Sequence, residues 1–251
     1  MDHEMPGMAA MRASGTFAGH VLPGVMLFVL ASCWMVELWR GRGHRPGDAP
    51  LEGLSFVVAL KLILPLIGIG VEWPGATWQA MDRIMNFQHV SMYGFFALSG
   101  LVDLLERRGV VARGATYGAF AAAAVNAGAL FLAHGVDGGV EGTVHFLIAM
   151  SFFTAAVFAI GEWIRPDLDL HWMRIGAVLT VGSWFMEGAW ILFRSGYDLM
   201  DPTVRMGSGL IFSGNVMAMA LILLLLRVAR APAPAPEGRL GRVAVGAERL
   251  T

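Results

Sequence analysis

Seven ionisable side chains, His20, Glu72, His89, His134, Glu141, His145 and Glu187, lie inside or at the edge of strongly apolar stretches. An imidazole or carboxylate in hydrocarbon is costly to hold, so each is a candidate for function until a partner explains it. Neutral imidazole and carboxylate are ligands for zinc, copper, iron or nickel. The same groups can instead build a buried hydrogen-bond network or a proton relay. His89, His134 and His145 form the central candidate metal set, with His20, Glu141 and Glu187 as further ligands. The link Gly135–Val140 is short, so the stretches it joins must be antiparallel neighbours, which places His134 beside Glu141 and His145. Met81, Met85, His89 and Met92 follow one helical face. Thioethers beside an imidazole suit Cu(I), and a methionine stripe serves equally as adaptable packing.

The first residues, Met1-Asp2-His3-Glu4-Met5, with Met8 and Met11 following, offer a second candidate. A free amine, two deprotonated amides and the His3 imidazole can wrap Cu(II) or Ni(II) in a square plane. This segment resembles the external N-terminus of eukaryotic high-affinity copper transporters over about a dozen residues. Their three-span fold and in-membrane methionine motif have no counterpart here.

The elements that must position these groups follow from composition. The 251 residues are 56% hydrophobic and 15% charged, and the mean hydropathy is +0.61. A soluble domain carries roughly a quarter charged residues, so a cytosolic globular enzyme is excluded. The net charge of −1 shows no nucleic-acid footprint. A single cysteine, Cys33, excludes an intramolecular disulfide and any CxxC site.

Apolar runs of about 20 residues, enough to cross a ~30 Å hydrocarbon core, occur at about 21–40, 52–72, 84–105, 114–134, 142–163, 173–194 and 206–228. The expected fold is all-α, a polytopic membrane protein with a seven-transmembrane-helix bundle, because a bilayer leaves each span to satisfy its own backbone. The expected organisation is an extracytoplasmic Met/His-containing segment at 1–19, the bundle at 20–230 and a flexible cytoplasmic tail at 231–251. The last contains the extended Ala231–Pro236.

The chain has seventeen arginines and one lysine. Arg40, Arg42, Arg45, Arg107, Arg108, Arg113, Arg165, Arg174 and the five arginines from Arg227 onward fall on one side. Only Arg12, Arg83, Arg194 and Arg205 fall on the other. By the positive-inside rule the N-terminus is outside and the C-terminus cytoplasmic. Glu37, Asp103, Glu106 and Glu162, near cytoplasmic span ends, are expected to snorkel to the interface. Lys61, near the middle of span 2, needs a partner, and Glu187 at similar depth is the candidate. Asn215 is expected to donate a hydrogen bond between helices. Pro23 is expected in the first turn of span 1, and Pro65 with Gly68 and Gly70 should loosen span 2.

With the spans placed, several stretches resemble the transmembrane protein 45 / transmembrane epididymal protein family. They are Gly19-His20-Val21-Leu22-Pro23-Gly24; His89-Val90-Ser91-Met92-Tyr93, running on to Gly100-Leu101-Val102-Asp103; Val144-His145; Gly182-Ser183-Trp184-Phe185; and Asp198-Leu199-Met200-Asp201. Order and spacing cover nearly the whole bundle. Gln88 stands where the family has the first histidine of a pair, a His-x-His around His134 is reduced to one histidine, and Glu187 replaces a glutamine. The resemblance implies a seven-span membrane protein and no settled activity.

Three functional expectations result. The first is a membrane protein whose His/Glu site in the extracytoplasmic half binds copper or zinc. The second is a zinc-dependent membrane hydrolase of lipid-like substrates, similar in span count and orientation to the seven-span ceramidase and progestin-receptor-like group but lacking its paired His-xxx-His. The third is a non-catalytic scaffold or receptor. The partner common to all three is the lipid bilayer. Short loops and arginine in place of lysine point to a bacterial plasma membrane.

Overall fold

The computed structural model describes residues 15–40, 56–73, 80–134 and 138–230, with backbone alone at 80–86 and 134. His3, the methionines around it, and the two proposed terminal segments, apart from residues 15–19, lie outside these residues. The described chain is seven helices and no strand. They are α1 (Phe17–Trp39), α2 (Phe56–Glu72), α3 (Ala80–Arg107), α4 (Ala115–His134), α5 (Gly139–Ile164), α6 (His171–Phe193) and α7 (Pro202–Arg230). Each coincides with an expected span to within a few residues. Five of them, α1, α4, α5, α6 and α7, are long and apolar enough to cross a membrane. α2 has 17 described residues, and α3 is broken up by polar side chains.

The small shifts at helix ends have local causes. Thr16 caps α1, its Oγ1 accepting from the Gly19 N–H at 3.0 Å. The helix therefore starts earlier than expected, and Pro23 lies inside it rather than in its first turn. α6 starts at His171, which brings that imidazole into the bundle.

Neighbouring helices pack in sequence order from α1 to α6, and α1 closes the ring against α6. α7 lies outside this ring, against α5 and α6. Consequently 17 of the 23 residues of α6 are buried, while α7 buries only Ser208 and Asn215. Lipid tails are as apolar as leucine, so close packing rather than water exclusion must hold such a bundle together. The α1–α6 contact shows how. A Cβ at Gly182 would fall 2.7 Å from the Phe28 nitrogen, and one at Gly24 would fall 2.9 Å from the Gly182 carbonyl oxygen. Only glycines let the two backbones touch. Inside the ring, Phe131, Phe152 and Phe185 meet pairwise, with centroids 5.2–6.2 Å apart.

Candidate functional site

Lys61 on α2 is a deeply buried charge, only 3% exposed. Gly100 of α3 brings the two helices together there, since a Cβ at that position would lie 2.8 Å from the Lys61 carbonyl oxygen. Asp103 follows three residues later on the same face. Its carboxylate takes both hydrogen bonds of the ammonium, at 3.0 Å and 2.9 Å. The ammonium also lies 5.6 Å from the ring centroid of Phe120 and 6.0 Å from that of Trp34. Lys61 thus pairs with Asp103, not with Glu187. Arg174 of α6 stands against the same Trp34 and Phe120 rings as Lys61, and Glu187 lies thirteen residues, about 20 Å of helix, further along α6, so the two groups are not at one depth.

Above Lys61 opens an apolar cleft, part of it open to the surroundings. All six ring helices contribute to its wall, among them Leu27 of α1, Leu64 of α2, Phe96 of α3, Phe131 of α4, Phe152 of α5 and Phe185 of α6. Met92, from the methionine stripe, also lines it. The side chains of Met81 and Met85 are outside the described residues.

A second ionic group stands beside the first. Glu162 of α5, 1% exposed, accepts from Arg174 Nε at 3.0 Å and faces His171 Nδ1 at 3.1 Å. The Arg174 guanidinium lies 4.8 Å from the Trp34 centroid and 5.8 Å from that of Phe120, so these two rings stand against both cations. Glu106, one turn beyond Asp103, accepts from the N–H groups of Gly114 at 2.8 Å and Thr116 at 2.9 Å. It thereby answers unpaired donors at the start of α4. Asp103, Glu106 and Glu162 therefore do not snorkel: each is turned inward to a partner. Sequence reasoning missed Asp103, Glu162, His171 and Arg174 as a set. The legible signal was that α3 and α5 end in acids while α6 begins with His171 and Arg174.

At the opposite end, where α1 begins, His20 and His145 meet. Their Nε2 atoms are 3.2 Å apart and the rings stack with centroids at 5.6 Å and planes at 17°. His20 Nδ1 lies 3.1 Å from the Thr16 carbonyl oxygen. A carbonyl only accepts, so Nδ1 carries a proton; in the neutral ring Nε2 is then the acceptor, to which His145 Nε2–H donates. Phe131 and Phe193 pack on the pair. His89 is elsewhere, its Nδ1 3.3 Å from Glu72 Oε1.

The expected convergence of His89 with His145 is therefore replaced by two pairs, because α3 packs against α2 and α4 whereas α1 reaches α5 through α6. The His134 side chain is outside the described residues. Glu141 sits half-buried in the first turn of α5. Glu187 is half-buried on α6, and its Oε2 has no hydrogen-bond partner among the described residues. Among the described residues no three His, Cys, Asp or Glu side chains are grouped to hold a metal ion. Asn215 does bridge helices, but as acceptor: Ser183 Oγ donates to its Oδ1 at 2.9 Å.

The chain is similar to transmembrane epididymal protein 1 of Rattus norvegicus, 30% identical over 164 residues that make up 61% of this chain and 47% of the relative. It is 29% identical to transmembrane epididymal protein 1 of Homo sapiens over 135 residues, half of each chain. The chain spans about half the length of the curated relatives it matches. These relatives bear out the resemblance carried by the motifs, and together with the apolar helices they make this an integral membrane protein in a lipid bilayer. No family model matches the chain, and no solved structure does.

Proposed function

We propose that the protein is a seven-span receptor or carrier of the plasma membrane, N-terminus outside and C-terminus cytoplasmic, that holds an apolar small molecule in its central cleft. The observation that carries this reading is the cleft itself, apolar on six helices, with Lys61, the partner of Asp103, in its wall. Ligand sites are concave and mostly apolar, with a few polar groups that fix orientation. The arginine asymmetry supports the topology, and reporter fusions at each loop test it.

The cleft is tested on the full chain in lipid nanodiscs, by titrating the fluorescent polyene cis-parinaric acid. Saturable binding that falls in Leu27→Trp and Leu64→Trp, with unchanged gel filtration, is expected. Binding that never saturates would sink the reading.

A second reading keeps the metal site. A tetrahedral zinc with Zn–N bonds of about 2.0–2.1 Å sets two nitrogens about 3.3 Å apart; His20 and His145 hold theirs at 3.2 Å. His20 already gives its other N–H to a backbone carbonyl, as metal-bound histidines do. Zinc or copper would take the place of the shared proton. His134, by its position at the end of α4, is the candidate third ligand. Three ligands and a bound water would extend the reading to a zinc-dependent hydrolase. Metal analysis of the purified protein and of His20→Gln decides it: no zinc or copper in the unmutated protein rejects the site.

A further inference from the structure

Among eighteen basic side chains, one is lysine, and it is the one that lines the cleft. The neighbouring buried carboxylate, Glu162, is paired by an arginine. Guanidinium matches a carboxylate in shape and stays charged, so for a purely structural ion pair arginine is the better residue. What lysine has and arginine lacks is an amine that can release its proton and attack a carbonyl. Both hydrogen bonds of Nζ go to a single carboxylate. No second acid fastens the amine, among the described residues, and the same carboxylate that would take its proton stands 2.9 Å away.

We infer that Lys61 forms a reversible imine with an apolar aldehyde bound in the cleft, with Asp103 as proton acceptor and then counter-ion. This rests on the cleft being a ligand site. Asp103 takes one proton from the ammonium. The neutral amine adds to the aldehyde carbon; the C=O π bond breaks as the C–N bond forms, and one nitrogen proton passes to the oxygen, which becomes a hydroxyl. Asp103 returns its proton to that hydroxyl, which leaves as water. The products are one protonated imine and one water from one ammonium and one aldehyde, with Asp103 again a carboxylate beside the positive nitrogen. No oxidant or reductant enters. The tail lies against Leu64, Met92 and Phe96, and α1 and α2 make the sparsest contact in the ring, so a longer chain can leave between them into lipid.

The test uses the full chain in nanodiscs with two probes, hexadecanal and all-trans-retinal, each trapped with cyanoborohydride and mapped by peptide mass spectrometry. The amines available are Lys61 and the N-terminus, so the site is unambiguous. An adduct at Lys61 in folded protein with at least one probe is expected, and the two arms separate a saturated-chain from a polyene occupant. Lys61→Arg should lose the adduct. With retinal, Asp103→Asn should slow adduct formation and move the absorbance band of whatever imine forms without cyanoborohydride, because proton acceptor and counter-ion are both removed. Labelling of the N-terminus alone, or of Lys61 only after denaturation, overturns the inference. Hexadecanol and retinol, which cannot form imines, separate the two proposals. If the alcohols bind saturably and no aldehyde is trapped, the imine fails and the cleft reading stands; if neither class binds, both fail.

Discussion

Lys61 and Asp103, with Glu162, Arg174 and His171 beside them, form one end of the polar interior; His20–His145 and Glu72–His89 form the other. The first end uses full charges of both signs, wrapped in the rings of Trp34 and Phe120. The second stacks two imidazoles that can share one proton and stay neutral. A charge in a low-dielectric interior needs its opposite in contact, since removing one member leaves the other uncompensated. A neutral imidazole pair needs only a donor and an acceptor, so losing it costs a hydrogen bond. The first end therefore depends on each of its charges keeping its partner.

Breaking the charged end should have the largest effect. Glu162→Gln or Lys61→Met each strands a buried charge, and about 3–5 kcal/mol of stability should go. The paired changes Glu162→Gln with Arg174→Met, and Lys61→Met with Asp103→Leu, should recover most of it. Thermal unfolding in mild detergent reads both. Doubles no better than the singles would show that these groups do not act as ion pairs.

Moving the helices that carry the pair comes next. Gly100→Leu drives a side chain into the Lys61 carbonyl, and overpacking of this kind costs about 1–3 kcal/mol. Its loss of cleft binding should follow its loss of stability.

At the imidazole end, His20→Gln should cost about 0.5–1.5 kcal/mol, the worth of a hydrogen bond. Loss as large as that at Glu162 would erase the distinction between the two ends. The Ser183–Asn215 bond sharpens the scale further, since interhelical hydrogen bonds in membranes average about 0.6 kcal/mol; Ser183→Ala should fall near that value.

The smallest effect belongs to the exposed pair on the α5–α6 link. Arg165 donates to Asp167 at 2.8 Å and 2.6 Å, and these hydrogen bonds hold the Asp167 carboxyl below its ordinary value. A depressed carboxyl contributes at neutral pH and loses that contribution as pH falls through its lowered pKa. Both side chains are 59% exposed, and solvent screens such pairs. Asp167→Asn should leave the melting temperature at neutral pH unmoved while Glu162→Gln shifts it.

The helices were legible in the chain because each is a run of apolar residues, and helical backbone satisfies itself wherever such a run lies. Depth was legible for the same reason: counting along a run places His20 and His145 near one end and Lys61 farther in. Azimuth was not. Asp103, Glu106 and Glu162 sit near span ends, where a charge can reach water, and nothing local distinguishes that from turning inward. The inward turn exists because Gly100 brings α3 against α2, and because α6 begins with His171 and Arg174 opposite the acid of α5.

By itself the sequence determined that this is a bundle of apolar helices, which residues lie in them, and that Lys61 is the chain's one lysine. Only the tertiary structure decided that Lys61, in the wall of a cleft, meets Asp103 and that His145 meets His20 rather than His89. Composition and spacing act along one helix axis. Which face meets which neighbour depends on packing between helices far apart in the chain, where single glycines let backbones touch.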